Sequence, residues 1–432
     1  MQFRAVKGMN DILPHEVARW HRLEGEFRTL VALYGYQEVR TPLLEHTELF
    51  ARSIGETTDV VEKEMFTFER SRESLTMRPE GTAGAARAYV TNKVHAREPI
   101  SRWYYLGPMF RAEQPQRGRY RQFHQAGCEV FGDPGPLVDA EMIDLLCTYF
   151  ERLGISGVEV SINSIGGAAA REAYRLRLLE FLRPRADALS PHARDRLEVN
   201  PLRVLDSKDQ RDQKAVRDAP SILEVLDGAD LEHWKGLCAA LDALGVSYTV
   251  DPRLVRGLDY YTRTLFELKA TGGDLGAQNT LVGGGRYDAM IETLGGPSVA
   301  AIGFAMGLER ILLAMPDDPP TSVPTCYVAP IGSPAQREAL LLASELRGSG
   351  VTVDLDGRGN SLRSMLRRAD AVGARVCLVL GDSELQEGVV QVKDLEQHTQ
   401  DRVSRSQVVE RVVGIASVTA PGAATQTSGD EP

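Results

Sequence analysis

Apolar side chains recur along this chain with two different periods. They return every three to four positions in residues 17–34 and 140–153, which predicts two amphipathic helices. Shorter stretches rich in β-branched and aromatic residues predict strands at residues 37–45, 102–109, 127–131, 158–163 and 260–268. Because these strands do not alternate regularly with helices, we expect an α+β domain built on an antiparallel sheet.

Two later changes in the pattern predict the domain organisation. Residues from about 168 to 250 are mostly helical with charge-rich surfaces, which predicts a helical insertion inside a first domain of residues 1–320. A proline-rich linker ends that domain, and strands then alternate with helices over residues 325–415, as in a small α/β domain. Residues 416–432 nearly lack large apolar side chains, which predicts a disordered tail.

Composition limits the class of protein and its compartment. The chain is 43% apolar and 25% charged, and no apolar run approaches the ~20 residues of a membrane span or forms a signal core. We therefore expect a cytoplasmic protein. The five cysteines are far apart and form no CxxC pair, so we expect neither a zinc site nor a disulfide framework. A net charge of −10 argues against indiscriminate polyanion binding but leaves room for local basic patches.

Residues 254–262 combine an arginine, an aspartate and two tyrosines in an apolar setting. In a straight strand Arg256 and Tyr261 would face opposite sides of the sheet, so both can serve one site only if Gly257 bends the chain. Such a site would suit a small polar ligand beside an anion. The local pattern also fits a strand with a solvated arginine and with Tyr260 and Tyr261 capping the core.

Glu80 and Thr82 flank a glycine, and this short segment has two interpretations. A carboxylate and a hydroxyl at that spacing are suited to an ammonium group. The same residues are typical of an N-terminal cap ahead of a helix over residues 83–90.

An arginine-rich loop at residues 111–121 connects two of the predicted strands. Arg111 and Glu113 are two positions apart, so we expect them on one strand face, as a phosphate and an amino-bearing base would require. Gln125 and Glu129 have equal parity on the return strand and should also share a face. A buried glutamate needs a partner, and an imidazole or amine of a ligand would supply one.

Residues 303–313 predict a helix in which Gly303 and Gly307 form a stripe of small residues, with Arg310 near the same face. The preceding residues 283–288 are rich in glycine. They lack the spacing of either a Rossmann or a P-loop motif, so neither nucleotide site is expected.

Taken in order, these segments resemble the motifs of one enzyme family. Residues 36–50, with Pro42, resemble motif 1 of class II aminoacyl-tRNA synthetases, residues 111–113 with their loop resemble motif 2, and residues 303–310 resemble motif 3. Residues 254–261 resemble the peptide special to histidyl-tRNA synthetases. The resemblance covers nearly the whole chain. It implies an aminoacyl-tRNA ligase that activates L-histidine with ATP and transfers histidine to the 3′ end of tRNA(His).

The resemblance also implies roles for individual residues, which form four sets. It implies catalytic roles for three arginines: Arg111, Arg256 and Arg310. It places histidine binding at Glu80, Gly81, Thr82, Arg111, Gln125, Glu129, Arg256, Tyr260 and Tyr261, with Glu129 and Tyr261 on the two ring nitrogens. It places ATP binding at Arg111, Glu113, Arg119, Phe123 and Arg310. Contact with tRNA is implied for Gln114, Arg117, Arg358, Asn360, Arg363 and Arg367, although Gln114 stands where many relatives carry arginine.

The family further implies Mg²⁺ on the ATP phosphates rather than a metal site built by the protein. It implies a homodimer paired through motif 1, and an anticodon-binding function for residues 325–415. Three alternatives stay open at this point: a regulatory paralogue without catalysis, a synthetase for another amino acid, and a non-catalytic RNA-binding module. The presence of Arg111, Glu113, Arg256 and Arg310 argues against the regulatory alternative.

Overall fold

A computed structural model gives the fold of the chain. It describes residues 3–316 and 325–417, apart from residues 56, 57, 59, 257, 259, 273–278 and 360. The chain divides into two compact units, residues 1–317 and 318–432. Within the described residues, no helix combines the length and the apolar character that crossing a membrane requires.

The first unit is built on an eight-stranded sheet and a three-stranded sheet. Its strands are β1 (Gln37–Glu38), β2 (Leu44–His46), β3 (Phe66–Arg70), β4 (Glu73–Met77), β5 (Ser101–Phe110), β6 (Gln122–Phe131), β7 (Val158–Ser164), β8 (Thr249–Val250), β9 (Thr262–Ala270), β10 (Thr280–Arg286) and β11 (Ala301–Gly307). The large sheet has the order β1-β5-β6-β11-β10-β9-β7-β8, and the small sheet has the order β2-β4-β3. The pairs β1–β5 and β7–β8 are parallel and the other pairs are antiparallel. The predicted antiparallel α+β architecture is therefore confirmed.

Helices surround the large sheet. They are α1 (Pro14–Leu33), α2 (Thr47–Ile54), α3 (Thr82–Thr91), α4 (Pro136–Arg152), α5 (Ala168–Leu182), α6 (Pro191–Leu197), α7 (Leu202–Leu205), α8 (Gln210–Ala215), α9 (Gly228–Leu244), α10 (Met290–Thr293) and α11 (Leu308–Ala314). The buried faces of α1, α4, α9 and α11 share one apolar core with strands β6, β9, β10 and β11. The insertion helices α5 to α7 bury their leucines in a separate cluster.

Helix α1 is tied to the end of α11 by one side chain. The Arg19 guanidinium donates to the carbonyl oxygens of Leu312 at 3.0 Å and Met315 at 3.2 Å. These carbonyls lie at the C-terminal end of α11, where helix carbonyls lack partners within the helix. Arg19 therefore satisfies the end of a helix that lies almost three hundred residues further along the chain.

Residues 303–307 form a strand, so the helix predicted over residues 303–313 is wrong in its first half. Ile302, Phe304 and Met306 are buried in the core, whereas the positions between them carry glycine or alanine on the opposite face. This alternation has the period of two that defines a strand. The helix α11 begins at Leu308.

The second unit has a five-stranded sheet in the order β13-β12-β14-β15-β16. Its elements are β12 (Thr325–Pro330), α12 (Ser333–Gly348), β13 (Thr352–Leu355), α13 (Leu362–Ala371), β14 (Ala374–Leu380), α14 (Asp382–Glu387), β15 (Val389–Asp394), β16 (Thr399–Ser404) and α15 (Val408–Ser417). Strands β12, β13 and β14 are parallel, as the α/β pattern predicts, and β15 and β16 extend the sheet in antiparallel fashion. The tail predicted over residues 416–432 is wrong in its first two residues, because helix α15 extends to Ser417, and the rest of it lies outside the described residues.

Candidate active site

A cavity of about 190 Å³ opens over strands β6, β11 and β10 of the large sheet. Most of the site residues predicted for the first unit line it. They are Glu80, Thr82, Arg111, Glu113, Arg119, Phe123, Gln125, Arg256, Tyr260, Tyr261 and Arg310. Residues from the start of α3, the β5–β6 loop, the segment before β9 and helix α11 therefore converge on one place.

Glycines keep the floor of the cavity free of side chains. A Cβ on Gly303 of β11 would overlap the Glu129 carboxylate, and a Cβ on Gly283 of β10 would overlap the Arg256 guanidinium. The glycine-rich segment at residues 283–285 thus serves neither a Rossmann nor a P-loop motif. Its Gly283 leaves room for the Arg256 guanidinium, as Gly303 does for the Glu129 carboxylate.

Glu129 lies beside the cavity wall, fully buried, in a ring of hydroxyl groups. Its Oε1 accepts hydrogen bonds from Thr82 Oγ1 at 2.7 Å and from the Tyr105 hydroxyl at 3.1 Å. Its Oε2 accepts one from the Tyr287 hydroxyl. Burial raises the pKa of this carboxyl to about 8, although the hydrogen bonds from Tyr287 and Thr82 act in the opposite direction.

The surroundings of Glu129 were only partly predictable. Gln125 and Glu129 do lie on one strand, β6, with equal parity as expected. Sequence reasoning missed Tyr105 and Tyr287, whose hydroxyls hold the carboxylate. One signal existed for Tyr287, since it directly follows the glycine-rich strand at residues 283–286.

Glu80 combines the two interpretations that its sequence allowed. Its oxygens accept hydrogen bonds from the backbone N–H of Thr82 at 2.7 Å and of Ala83 at 2.8 Å, so it caps helix α3. It also lines the cavity. Burial raises the pKa of Glu80, although the two backbone donors lower it. The same two hydrogen bonds fix the position of the carboxylate.

Arg256 crosses the floor of the cavity from the segment before β9. Its Nη1 donates to Glu267 Oε1 at 2.9 Å, and the same carboxylate accepts from Lys269 Nζ at 2.8 Å and from Thr280 Oγ1 at 2.8 Å. Glu267 thus holds the guanidinium in place while sharing its own charge with a second cation. Arg256 and the two tyrosines, Tyr260 and Tyr261, precede the strand β9, which begins at Thr262.

The chain between Arg256 and Tyr261 is therefore not a straight strand in its described part. The strand predicted over residues 260–268 starts two residues late, and Arg256 and Tyr261 both line the cavity. The bend predicted at Gly257 lies outside the described residues. The rings of Tyr260 and Tyr261 are tilted against each other by 46°, with centroids 4.5 Å apart.

Arg111 and Glu113 lie beyond the end of β5 at Phe110, so the prediction that they share a strand face is wrong. They reach the cavity because the loop folds back on itself, with the Arg111 N–H donating to the Arg121 carbonyl at 2.9 Å. Side chains on a loop are not restricted to the two alternating faces of a strand.

Arg111 and Phe123 form one wall of the basic end of the cavity. Arg111 Nε donates to the Pro79 carbonyl at 2.9 Å, and its guanidinium carbon lies 5.3 Å from the centre of the Phe123 ring. Glu113 accepts from Arg119 Nη1 at 3.1 Å. A flat aromatic ring, a carboxylate and several guanidinium groups are thus within reach of one ligand.

Arg310 enters from helix α11 on the other side of this end. Its Nε donates to the Gly118 carbonyl at 3.0 Å and its Nη1 donates to the Thr280 carbonyl at 3.1 Å. These two bonds join α11 to the β5–β6 loop and to the start of β10. Arg310 is therefore held by two backbone carbonyls beside Arg111 and Phe123.

None of the described residues predicted to contact RNA is among those that line the cavity. Gln114 and Arg117 are exposed in the β5–β6 loop. In the second unit, Arg363 and Arg367 are exposed on α13, and the exposed Arg358 donates twice to the buried Asp356, at 3.0 and 2.7 Å. Asn360, the remaining predicted residue, lies outside the described residues.

Comparisons with known proteins agree with this geometry. A family model described as histidyl-tRNA synthetase matches residues 8–311, and one described as an anticodon binding domain matches residues 325–415. The chain is 63% identical over 403 residues to a histidine–tRNA ligase of Sorangium cellulosum (strain So ce56), covering 93% of this chain and 94% of that protein. It is 47% identical over 422 residues to a histidine–tRNA ligase of Anaeromyxobacter sp. (strain K), covering 96% and 100%.

A solved structure is similar over the same length. The crystal structure of apo S. aureus histidyl-tRNA synthetase has a TM-score of 0.80 at 34% identity, covering 95% of this chain and 100% of that chain. The first family model alone spans more than half of the sequence, and the second begins where the first unit has ended. The chain therefore belongs to the histidyl-tRNA synthetase family, with the class II catalytic fold and a C-terminal anticodon-binding domain.

Proposed function

We propose that this chain is a histidine–tRNA ligase whose cavity activates histidine with ATP. The histidine carboxylate attacks the α-phosphorus of ATP and pyrophosphate leaves, giving histidyl-adenylate. A terminal ribose hydroxyl of tRNA(His) then attacks the activated carbonyl, and AMP leaves with the bonding electron pair. The observation that carries the proposal is the juxtaposition of a buried carboxyl in a ring of hydroxyl groups, at Glu129, with a cluster of arginines.

The end of the cavity near Glu129 suits the imidazole ring. Among the described residues, only hydroxyl groups hydrogen-bond to the Glu129 carboxyl, and no cationic side chain does. A ring N–H of histidine can therefore donate to the Glu129 carboxyl. The Tyr261 hydroxyl is proposed to hydrogen-bond the other ring nitrogen. A site that pairs both ring nitrogens rejects apolar isosteres by about 10⁴-fold or more, because its own buried groups would lose their partners.

Glu80, Thr82 and Gln125 are proposed to bind the α-amino end of histidine. They lie along one side of the cavity, and the buried Gln125 side-chain oxygen has no hydrogen-bond partner among the described residues. A buried carbonyl oxygen costs free energy until a donor reaches it. An ammonium group would supply three donors at this position.

The basic end suits the nucleotide. Phe123 and Arg310 can enclose the adenine ring, Glu113 can accept from its amino group, and Arg119 and Arg310 can reach the γ-phosphate. Arg111 and Arg256 would then lie on opposite sides of the α-phosphate. Fixed positive charges at that point stabilise the charge that develops in the transition state, which explains why no side-chain nucleophile is needed.

Magnesium fits this site as part of the substrate. Within the described residues, no three His, Cys, Asp or Glu side chains lie close enough together to hold a metal ion. Mg²⁺ bound through one carboxylate and the phosphates of a nucleotide does not need such a cluster. We therefore propose that Mg²⁺ enters with the β- and γ-phosphates of ATP.

The second unit is proposed to bind the anticodon of tRNA(His). Arg363 and Arg367 lie four positions apart on α13, and Arg358 is fixed by its two bonds to Asp356, so they present cations to a phosphate backbone. Gln114 and Arg117 are proposed to meet the acceptor end. We further propose a cytoplasmic homodimer paired through motif 1, which analytical ultracentrifugation would test.

Histidine-dependent ATP–pyrophosphate exchange tests the proposal directly. The protein should exchange labelled pyrophosphate into ATP with L-histidine and should be inactive with each of the other amino acids. A regulatory paralogue or a non-catalytic RNA-binding module gives no exchange with any amino acid. Exchange with a different amino acid would identify a synthetase of another specificity and refute the role proposed for Glu129.

A further inference from the structure

Helix α9 packs near the cavity but contributes none of the described residues that line it. It follows the insertion in the chain, yet its Leu237 and Leu241 are fully buried in the core of the large sheet. Two of its polar side chains, Asp230 and His233, lie about one turn apart and contact Arg263 and Thr264 at the start of β9, just after the tyrosines of the cavity.

Asp230 holds the chain just after Tyr261. Its Oδ1 accepts a hydrogen bond from Arg263 Nε at 2.9 Å, and its Oδ2 accepts from the Gly167 N–H at 2.7 Å. Arg263 has a φ of +47°, a conformation that is uncommon for a residue other than glycine. The ion pair with Asp230 therefore fixes an unfavourable backbone position two residues from Tyr261.

Strand β9 carries a β-bulge at this position. Thr262 is paired with Arg286 of β10, whereas Leu265 is paired with the residue before Arg286. Arg263 and Thr264 therefore have no partner in β10, although Thr264 is paired with Ser164 of β7. A bulge redirects the side chains next to it and is found beside functional sites. The direction of Tyr261, which directly precedes β9, depends on this bulge.

His233 belongs to a second, fully buried network. Its Nε2 lies 2.8 Å from Asp139 Oδ2 and 3.3 Å from Thr264 Oγ1, and the threonine hydroxyl donates to Asp139 Oδ2 at 2.5 Å. Arg286 Nη2 forms an ion pair with Asp139 Oδ1 at 2.7 Å, and both side chains are 0% exposed. All four residues are joined through the Asp139 carboxylate. Because losing one member of a buried ionic network disturbs the partners that remain, we expect a change at one of the four to alter the positions of the others.

Tyr261 and Tyr287 therefore each have a close neighbour in the chain that is linked to α9, directly through Asp230 in one case and through Asp139 of α4 in the other. Arg263 follows Tyr261 by two residues, and Arg286 directly precedes Tyr287, whose hydroxyl donates to Glu129. We propose that helix α9 positions Tyr261 and Tyr287 through Asp230 and His233, and so sets the affinity of the cavity for the histidine ring. The inference rests on the proposed function.

The nucleotide end is anchored by different elements. Arg111 is held by the Pro79 carbonyl, and Arg310 is held by the carbonyls of Gly118 and Thr280. These anchors lie in the segment before α3, in the β5–β6 loop and at the start of β10, and none is on α9. Removing the polar links of Asp230 and His233 should thus affect histidine and ATP unequally.

The test compares the Michaelis constants of the full-length enzyme for its two small substrates. Asp230→Ala and His233→Ala should each raise KM for histidine by about 3- to 30-fold, the range for residues that act on a site through a packed network. KM for ATP should stay within about two-fold. Both constants are measured by histidine-dependent ATP–pyrophosphate exchange.

Three further variants separate positioning from general damage. Glu232→Ala removes an exposed side chain from the same helix and should change neither constant. His233→Gln offers an amide in place of Nε2 and should restore most of the histidine affinity that His233→Ala loses. Leu237→Ala loosens the packing of α9 without removing its polar links. Its KM for histidine is compared with the KM values of Asp230→Ala and His233→Ala, relative to the loss of Tm in each variant.

The outcomes distinguish the two proposals. A wild type that lacks histidine-dependent exchange refutes the proposed function and this inference with it. An active wild type overturns the inference alone if Asp230→Ala and His233→Ala leave KM for histidine unchanged or raise both constants equally. The inference also fails if Leu237→Ala raises KM for histidine as much as they do.

Discussion

The Arg256 guanidinium occupies the space in which a side chain on Gly283 would stand. The two residues lie on different segments, one before β9 and one in the middle of β10, and only a missing Cβ lets them meet. The position of the arginine at the cavity thus depends on a residue that has no side chain. This relationship leads to a first prediction.

Gly283→Ala should displace Arg256 and reduce histidyl-adenylate formation. We expect a loss of about 10²-fold or more in the exchange rate, the scale of removing one transition-state donor. Gly25→Ala is the matched control, because nothing lies within 4 Å of a Cβ at that helical position. The control should keep full activity and gain about 0.4–1 kcal/mol of stability. Normal exchange in Gly283→Ala would contradict the role of Arg256.

Direct removal of the cation gives an independent prediction. Arg256→Ala should lower the rate of adenylate formation by at least about 10²-fold, whereas the Tm should change little if Lys269 keeps Glu267 partnered. Pre-steady-state formation of histidyl-adenylate is the measurement. Arg253→Ala, which changes an exposed arginine of the same segment, serves as the control.

Gly303→Ala should affect the histidine end instead. The new methyl group would overlap the Glu129 carboxylate, so the ring of hydroxyl groups around that carboxylate must open. We expect the affinity for histidine to fall more than the affinity for ATP. Isothermal titration calorimetry with each ligand checks this order, and an unchanged histidine affinity would remove Glu129 from the site.

Stability should depend on pH through Glu129. The pKa of its carboxyl is about 8 in the folded ligand-free protein because of burial, and is near 4.5 when unfolded. Between these two pH values the folded state holds a proton that the unfolded state has released. The free energy of unfolding therefore falls as pH rises from about 5 to 8. Glu129 contributes up to about 1.4 kcal/mol per pH unit to this fall. Glu129→Gln should remove that part of the slope, which denaturant unfolding at several pH values would measure.

Removing residues 325–432 should separate the two steps of the reaction. The cavity is built entirely from residues of the first unit, so histidine-dependent exchange should persist. Charging of tRNA(His) should fall strongly, because Arg358, Arg363 and Arg367 are lost with the second unit. Undiminished charging at low tRNA concentration would refute the anticodon-binding role.

Strong periodicity made several elements predictable from the sequence. The long apolar stripe of α1 and the apolar run of β14 at residues 374–380 specify their elements locally, and the structure has both. Residues 303–307 behave differently, since glycines four apart fit a helical stripe and also fit one face of a strand. Only the pairing of β11 with β6 and β10 decides between these periods, and pairing is a tertiary property.

The candidate site shows the same limit. Arg111, Glu129 and Arg256 could be named because charged residues in apolar surroundings need partners. Tyr105 could not, because a tyrosine in a buried strand is ordinary until the register places its hydroxyl beside a carboxylate. For Tyr287 the glycine-rich strand before it was the one signal, and that signal did not indicate a contact with Glu129. The importance of a missing side chain, as at Gly283, is likewise visible only once the neighbouring strand is in place.

The hydrogen bonds from Arg19 to the end of α11 have a consequence for synthesis on the ribosome. Arg19 leaves the exit tunnel long before its acceptor Leu312, which follows it by 293 positions. At about 5–20 residues per second, helix α1 waits roughly 15 to 60 s for the helix that completes its packing. During that interval Leu23, Phe27 and Leu30 have no finished core to enter. The nascent chain thus leaves the part of the α1 face that packs on α11 without its partner for most of translation, and we expect chaperones that bind apolar helix faces to recognise it.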